Sequence, residues 1–142
     1  MPELTDFNTA IIEEFRANHG QVGGGFQGAP VVLLTTTGAR SGTTRVNPLV
    51  CLPGEDGTLY VFASKGGAPT NPDWYYNLLA HPKVEVEFGE DAFAAIASPL
   101  TGTERDEIFS KQKERFPAFA EYEKRAGRQI PVIALTHIAR KS

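Results

Sequence analysis

Cysteine occurs once in the 142 residues, as Cys51, so no internal disulfide can form. A zinc site would have to draw on His19, His81, His137 and carboxylates, and none of these stands at ligand spacing. No run of about 18 apolar residues exists, which argues against a membrane-spanning helix. Basic residues are not in excess: 14 Lys and Arg stand against 17 Asp and Glu, a net charge of -3. A protein built to grip nucleic-acid phosphates needs a basic surface, so no nucleic-acid partner is expected. The start of the chain is acidic rather than basic-then-apolar, which argues against a secretory leader. There is no G-x-S-x-G, no Walker A sequence, no Ser/His/Asp signature and no pair of carboxylates in an apolar setting. A chain this short of its own acids and bases fits chemistry supplied by a bound cofactor. The reading is a soluble cytoplasmic protein without a metal.

What is present is the composition of a globular domain, 41% hydrophobic and 22% charged. The length suits one domain, taken as residues 1–142, with an N-terminal helix over about 4–17. Leu4, Phe7, Ile11, Ile12 and Phe15 fall at helical spacing there, with Thr5 or Asp6 as the cap. Gly23, Gly25 and Gly28 match G-x-G-x-x-G, but a helix precedes them and a β-rich run follows. That is the reverse of a dinucleotide site, so the segment reads as a connector. Strands are expected at 31–37, 45–52 and 58–63, a meander and therefore an antiparallel sheet. Pro48 marks an edge or a bulge in the second. Asn71-Pro72-Asp73-Trp74 opens a helix with Asn71 as N-cap. Strands follow around 84–88, 92–99 and 131–138. Between the last two lie a helix opened by a capping box at Thr103 and a short helix from Pro117, closed by Gly127. The fold class is mainly β: a small antiparallel barrel with peripheral helices.

Four stretches carry candidate chemistry. Thr37–Arg45 is a tight turn with Arg40, Ser41, Gly42 and Arg45, whose guanidinium forks suit phosphate or carboxylate. Read blandly, it is a solvated hairpin. Ser64-Lys65-Gly66-Gly67-Ala68-Pro69 can form a nest of backbone N–H groups beside a lysine, or be an ordinary loop. Two basic, glycine-rich turns in an acidic chain point to one acidic ligand at a shared barrel mouth. Trp74-Tyr75-Tyr76 cannot all face one way, so one of them should reach a pocket or rim. Phe116, Phe119 and Tyr122 form a stripe that either packs on the barrel or roofs a flat substrate. Tyr122 holds the stripe's only proton donor. His81, before Pro82, reads as a helix C-cap.

Taken together, Leu33–Gly42, Arg45-Val46-Asn47-Pro48-Leu49, Ala63–Ala68, Asn71–Leu78 and His81-Pro82-Lys83-Val84 resemble the deazaflavin-dependent nitroreductase family. The similarity runs from about Phe15 to Val132. The resemblance implies a split β-barrel, related to FMN-binding split barrels, that binds coenzyme F420, a hydride carrier with a phosphodiester-linked, glutamate-bearing tail. By that resemblance Arg40, Ser41, Arg45 and Lys65 would hold the phosphate and tail. Ser64, Gly66 and Gly67 would contact the cofactor through hydroxyl and backbone. Pro48, Trp74 and Asn77 would lie along the ring or ribityl chain, with Val50 and Ala63 lining the same groove. The implied reaction is hydride transfer to a flat small-molecule acceptor such as a quinone or nitroaromatic. Phe116 and Phe119 stand where nitroimidazole-reducing members carry tyrosines, and would line the substrate pocket. Tyr122 is the remaining candidate catalytic residue. Arg40 replaces a common lysine and keeps its charge. Competing readings are an FMN-dependent oxidoreductase on the same barrel and a non-catalytic cofactor carrier. Monomer and homodimer are both open. The apolar face of residues 4–15 leaves room for peripheral contact with a membrane surface.

Overall fold

The computed structural model describes residues 2–18, 30–54, 57–64, 70–89 and 91–138, and of residues 2–9 the backbone alone. The elements are α1 (Pro2–Ala17), β1 (Val31–Thr37), β2 (Thr44–Pro53), β3 (Leu59–Phe62), α2 (Asp73–Ala80), β4 (Lys83–Phe88), β5 (Asp91–Pro99), α3 (Gly102–Arg115), α4 (Ala118–Ala126) and β6 (Val132–His137). The strands close into a barrel in the order β1-β2-β3-β6-β5-β4, and every pairing is antiparallel. This is the expected class, with the expected six strands. The Gly23–Gly28 segment lies outside the described residues.

Alternation along the strands sorts side chains into two sets. Val32, Leu34, Cys51, Leu59, Val61, Val84, Val86, Ala95, Ala97, Ile133 and Leu135 fill the interior. Trp74 and Leu78 of α2 join that cluster, so the helix plugs the barrel end at which β1 and β3 finish. The opposite parity faces outward. Val31 and Leu33 receive Ile11 and Phe15 of α1, and the Arg16 guanidinium donates to both carboxylate oxygens of Glu87 at 3.0 and 2.7 Å. Leu52, Phe62 and Val132 receive Phe109 of α3 and Phe119 of α4. Four helices therefore protect the sheet, α1, α3 and α4 on two outer faces and α2 at one end. No described helix is long and apolar enough to cross a membrane.

The helix starts depart from expectation. Pro72, not Asn71, is the N-cap of α2, and no side chain caps it. Asn71 is drawn away by an arginine from another loop. α3 begins at Gly102 with Thr101 as N-cap and no side-chain cap bond, so the capping box at Thr103 does not form. The sequence at that end offers Arg105, which tertiary contacts turn inward instead. α1 begins at Pro2, ahead of the Thr5 and Asp6 expected as caps. The helix ends behave as read. His81 is the C-cap of α2, its N–H donating to Asn77 O at 2.8 Å. Gly127 closes α4 at φ 63°, the left-handed region that favours glycine.

Pro48 does mark an edge, and the reason is geometric. β1 and β2 pair along their whole length, from Val31↔Val50 to Thr37↔Thr44. β2 and β3 pair only at Cys51↔Val61, Leu52↔Tyr60 and Pro53↔Leu59. Amides along a strand alternate between neighbours. The Cys51 N–H points to the β1 side, donating to Pro30 O at 2.9 Å, so residue 48 faces β3. Proline has no N–H to offer there. Beyond this point β3 follows β6 instead, with Ala63 N–H donating to Pro131 O at 3.0 Å. The barrel is thus split along one seam, with Pro48 and Val50 on one bank and Ala63 and Ser64 on the other.

Candidate active site

The seam opens toward the barrel end that carries the β1–β2 turn, the β3–α2 loop and α2. The turn is built by two backbone bonds, Gly38 N–H to Thr43 O at 2.7 Å and Gly42 N–H to Gly38 O at 3.0 Å. Gly42 takes φ 72°. The Ser41 hydroxyl accepts from Thr43 N–H at 3.1 Å. A Cβ on Gly38 would lie 2.5 Å from this hydroxyl and 3.2 Å from Thr43 O, so a side chain there would push the hydroxyl out of its bond. Arg40 is exposed at the turn, and Arg45 is exposed one residue into β2, in register with Thr36. Neither has an acidic partner among the described residues. Two unneutralised guanidinium groups at the mouth of a seam form a site for an anionic group.

Asn77 fastens this turn to α2. Its Oδ1 accepts from Ala39 N–H at 3.0 Å, and its Nδ2 donates to Thr36 Oγ1 at 3.2 Å. Thr36 is buried, and Asn77 gives its hydroxyl a partner there. The amide thus sits beside the arginines and sets the turn's position. Trp74, one turn earlier on α2, is only 5% exposed and belongs to the barrel interior.

The lower part of the seam is apolar. Val50 and Tyr60 pack with Phe116 and Tyr122 at the α3–α4 corner, all partly buried. Phe119 is 7% exposed and meets Phe62 edge-on at 5.5 Å between ring centroids. Its ring packs α4 onto β3. Tyr122 leans on Phe119 at 5.2 Å, and its hydroxyl has no hydrogen-bond partner among the described residues. Of the stripe, Phe116 and Tyr122 remain at the edge of the seam.

The β3–α2 loop is held at both ends. Ala63 is buried and Ser64 partly so. Lys65, Gly66 and Gly67 lie outside the described residues. Arg128, from the α4–β6 loop, donates from Nη1 to Asn71 Oδ1 at 2.6 Å. Its Nη2 reaches the carbonyls of Thr70 at 2.9 Å, Ala63 at 3.1 Å and Ser64 at 3.4 Å. A second arginine anchors the loop from which Arg128 projects. Arg105, 6% exposed, donates to Ile130 O from Nε at 3.1 Å and Nη2 at 2.6 Å. It also pairs with Glu123 at 2.9 Å and lies over the Phe109 ring at 4.5 Å. Sequence reasoning missed both. An arginine between a helix-closing glycine and a proline reads as a solvated charge, and nothing local signals acceptors 57 to 65 residues away.

Cys51 lies inside the barrel, and burial pushes its thiol up to about 12. It is therefore no nucleophile near neutral pH. No group of three or more His, Cys, Asp or Glu that could hold a metal occurs among the described residues.

A closed antiparallel barrel, split at one seam and roofed by helices, defines a split-barrel protein with two exposed arginines at its mouth. Residues 9–137 match the family described as F420H(2)-dependent quinone reductase, and the chain belongs to that family. An F420H(2)-dependent quinone reductase of Mycobacterium tuberculosis is 36% identical over 129 residues, spanning 86% of this chain and 84% of the relative. The solved F420-H2 dependent reductase FDR-A is 41% identical with a TM-score of 0.68, covering 75% of this chain and 93% of that one. A second solved structure, described as a domain-swapped dimer, is 36% identical with a TM-score of 0.69, covering 94% and 98%.

Proposed function

We propose that this protein is an F420-dependent reductase that passes a hydride from the reduced deazaflavin to a quinone held in the seam. The carrying observation is the seam itself. β2 and β3 part at Pro48, and Arg40 and Arg45 stand exposed at the mouth with no acidic partner among the described residues. The donor set suits the group: planar cations and a glycine turn for a phosphodiester and carboxylates, an apolar channel for a flat ring.

In this reading Arg40, Ser41 and Arg45, with Lys65, hold the phosphate and acidic tail. Pro48, Val50, Ala63 and Ser64 border the ring system, and Gly66 and Gly67 approach it through backbone. Asn77 acts by holding the Arg40–Ser41 turn. When bound, reduced F420 supplies the hydride, two electrons with one hydrogen nucleus. The chain's part is to stack the acceptor close, keep water out and see that a proton reaches the quinone oxygen. Phe116 and Val50 give the apolar walls. Tyr122, its hydroxyl uncommitted, is the proton donor at the acceptor oxygen, re-protonated from solvent.

The test is a fluorescence titration of the full chain with oxidised F420, run beside FMN, followed by quinone reduction with F420H2. Saturable binding of the deazaflavin in preference to FMN, with quinone turnover, is the expected result. Preference for FMN would overturn the tail site. Binding without turnover on any quinone or nitroaromatic would make the protein a carrier.

A further inference from the structure

Arg128 touches neither the β1–β2 turn nor the apolar walls, yet it commits most of its donors to one task. It joins residues 63 and 64 to residues 70 and 71, the two ends of the loop between β3 and α2. The carbonyls of Ser64 and Thr70 share one nitrogen, so they stand about 6 Å apart at most. The described ends, residues 63–64 and 70–71, are thereby tied to one guanidinium. Four acceptors in a fixed fan match a planar guanidinium and no other side chain. Arg128 is itself held from behind: Arg105 fixes Ile130 O and Glu123, so the segment carrying Arg128 is tied to α3 and α4. Those are the helices that present Phe116 and Tyr122.

We propose that Arg128 is a positioning residue for the cofactor loop. It holds Ser64, with residues 70 and 71, in the geometry that binds F420, with Asn71 as its side-chain partner. This rests on the F420 reading above. Arg128 does not touch the reacting atoms; it acts through Ser64 and the loop. Its loss should therefore raise the cofactor requirement and leave the chemical step largely intact.

The experiment compares wild type, Arg128→Ala, Arg128→Lys, Asn71→Ala and Glu87→Gln, the last breaking the exposed Arg16 bridge far from the loop. Each full-length protein is titrated with F420, and kcat and KM for F420H2 are measured with a quinone. Hydrogen exchange of residues 63–71 is followed without cofactor. Arg128→Ala should weaken F420 binding by about tenfold or more, the loss expected for charge-assisted bonds, with kcat at saturating cofactor within about threefold. Lysine should restore part of the affinity, because an ammonium cannot reach all four acceptors. Asn71→Ala should show a smaller loss of the same kind, and Glu87→Gln none. Exchange at 63–71 should rise in Arg128→Ala while the barrel strands stay protected. Wild-type affinity in Arg128→Ala, or a fall in kcat alone, would overturn the proposal. If Arg128→Ala does not fold, Arg128→Lys and Asn71→Ala decide by the same criteria. If wild type binds no F420, the cofactor reading fails, and the exchange measurement still decides Arg128: unchanged exchange at 63–71 would overturn it.

Discussion

Asn77 bridges Ala39 and Thr36 through the two ends of one amide. Replacing it with alanine removes two bonds and leaves the buried Thr36 hydroxyl without that partner. The expected cost is about 1–3 kcal/mol, read as a drop in the denaturation midpoint, with weaker F420 binding because the Arg40 turn is released. Arg45→Ala should weaken F420 binding by about 1–3 kcal/mol and lower its salt dependence without changing stability. Equal affinity and equal salt slope would remove Arg45 from the tail site. Cys51 gives a pH prediction. The exposed thiol of the unfolded chain titrates near 9.0, and the buried one near 12. Between those values the unfolded chain has lost a proton that the folded one keeps, so stability contributed by the buried thiol falls as pH rises through that window. Below 9 it is fully present. Thiol reagents at pH 8 should label Cys51 only after denaturant is added; rapid native labelling would contradict the burial. At this scale the sequence was informative where a side chain's job is local. It placed Gly127, and it found Arg40, Ser41 and Arg45 as exposed donors. It left Trp74 and Phe119 between packing and a pocket, because an aromatic that packs and one that lines a pocket look the same in one dimension.

At the level of elements, α1 is attached by two devices of unequal strength. Phe15 is 1% exposed against Val31 and Leu33, whereas the Arg16–Glu87 pair lies at the surface. Phe15→Ala should cost about 3–5 kcal/mol, and Glu87→Gln no more than about 1 kcal/mol, vanishing in high salt. Urea unfolding of both variants measures the contrast; similar losses would mean that the ion pair, not the ring, holds the helix. The strands were legible because their alternation is strict and each faces one filled interior. The helix starts were less so. Asn71 and Thr103 carry good capping chemistry, but capping is worth about 1 kcal/mol, and a tertiary partner for the same atoms outweighs it. For Asn71 that partner is Arg128; near Thr103 the helix has already begun at Gly102.

Across the whole molecule, Arg105 joins α3, α4 and the α4–β6 loop in one cluster. Arg105→Met should destabilise by about 3–5 kcal/mol, since it leaves Glu123 and the Ile130 carbonyl without their donor. Thermal denaturation would show it, and a loss under 1 kcal/mol would mean that water replaces the guanidinium freely. The same cluster links α3 and α4 to the ends of the β3–α2 loop through residues 128–130.

The sequence alone determined the antiparallel barrel, its six strands and the basic β1–β2 turn, because side-chain periodicity, turn glycines and an unpaired proline act over a few residues. It also marked Pro48 as a strand edge. Only the tertiary structure decided that this edge is one bank of a seam facing Ala63 and Ser64, that Trp74 plugs the barrel end, and that Arg105 and Arg128 brace the loop. Those outcomes depend on hydrogen-bond acceptors and cavities supplied by residues far along the chain. Where an arginine or an indole goes is set by which of those partners the closed barrel brings within reach.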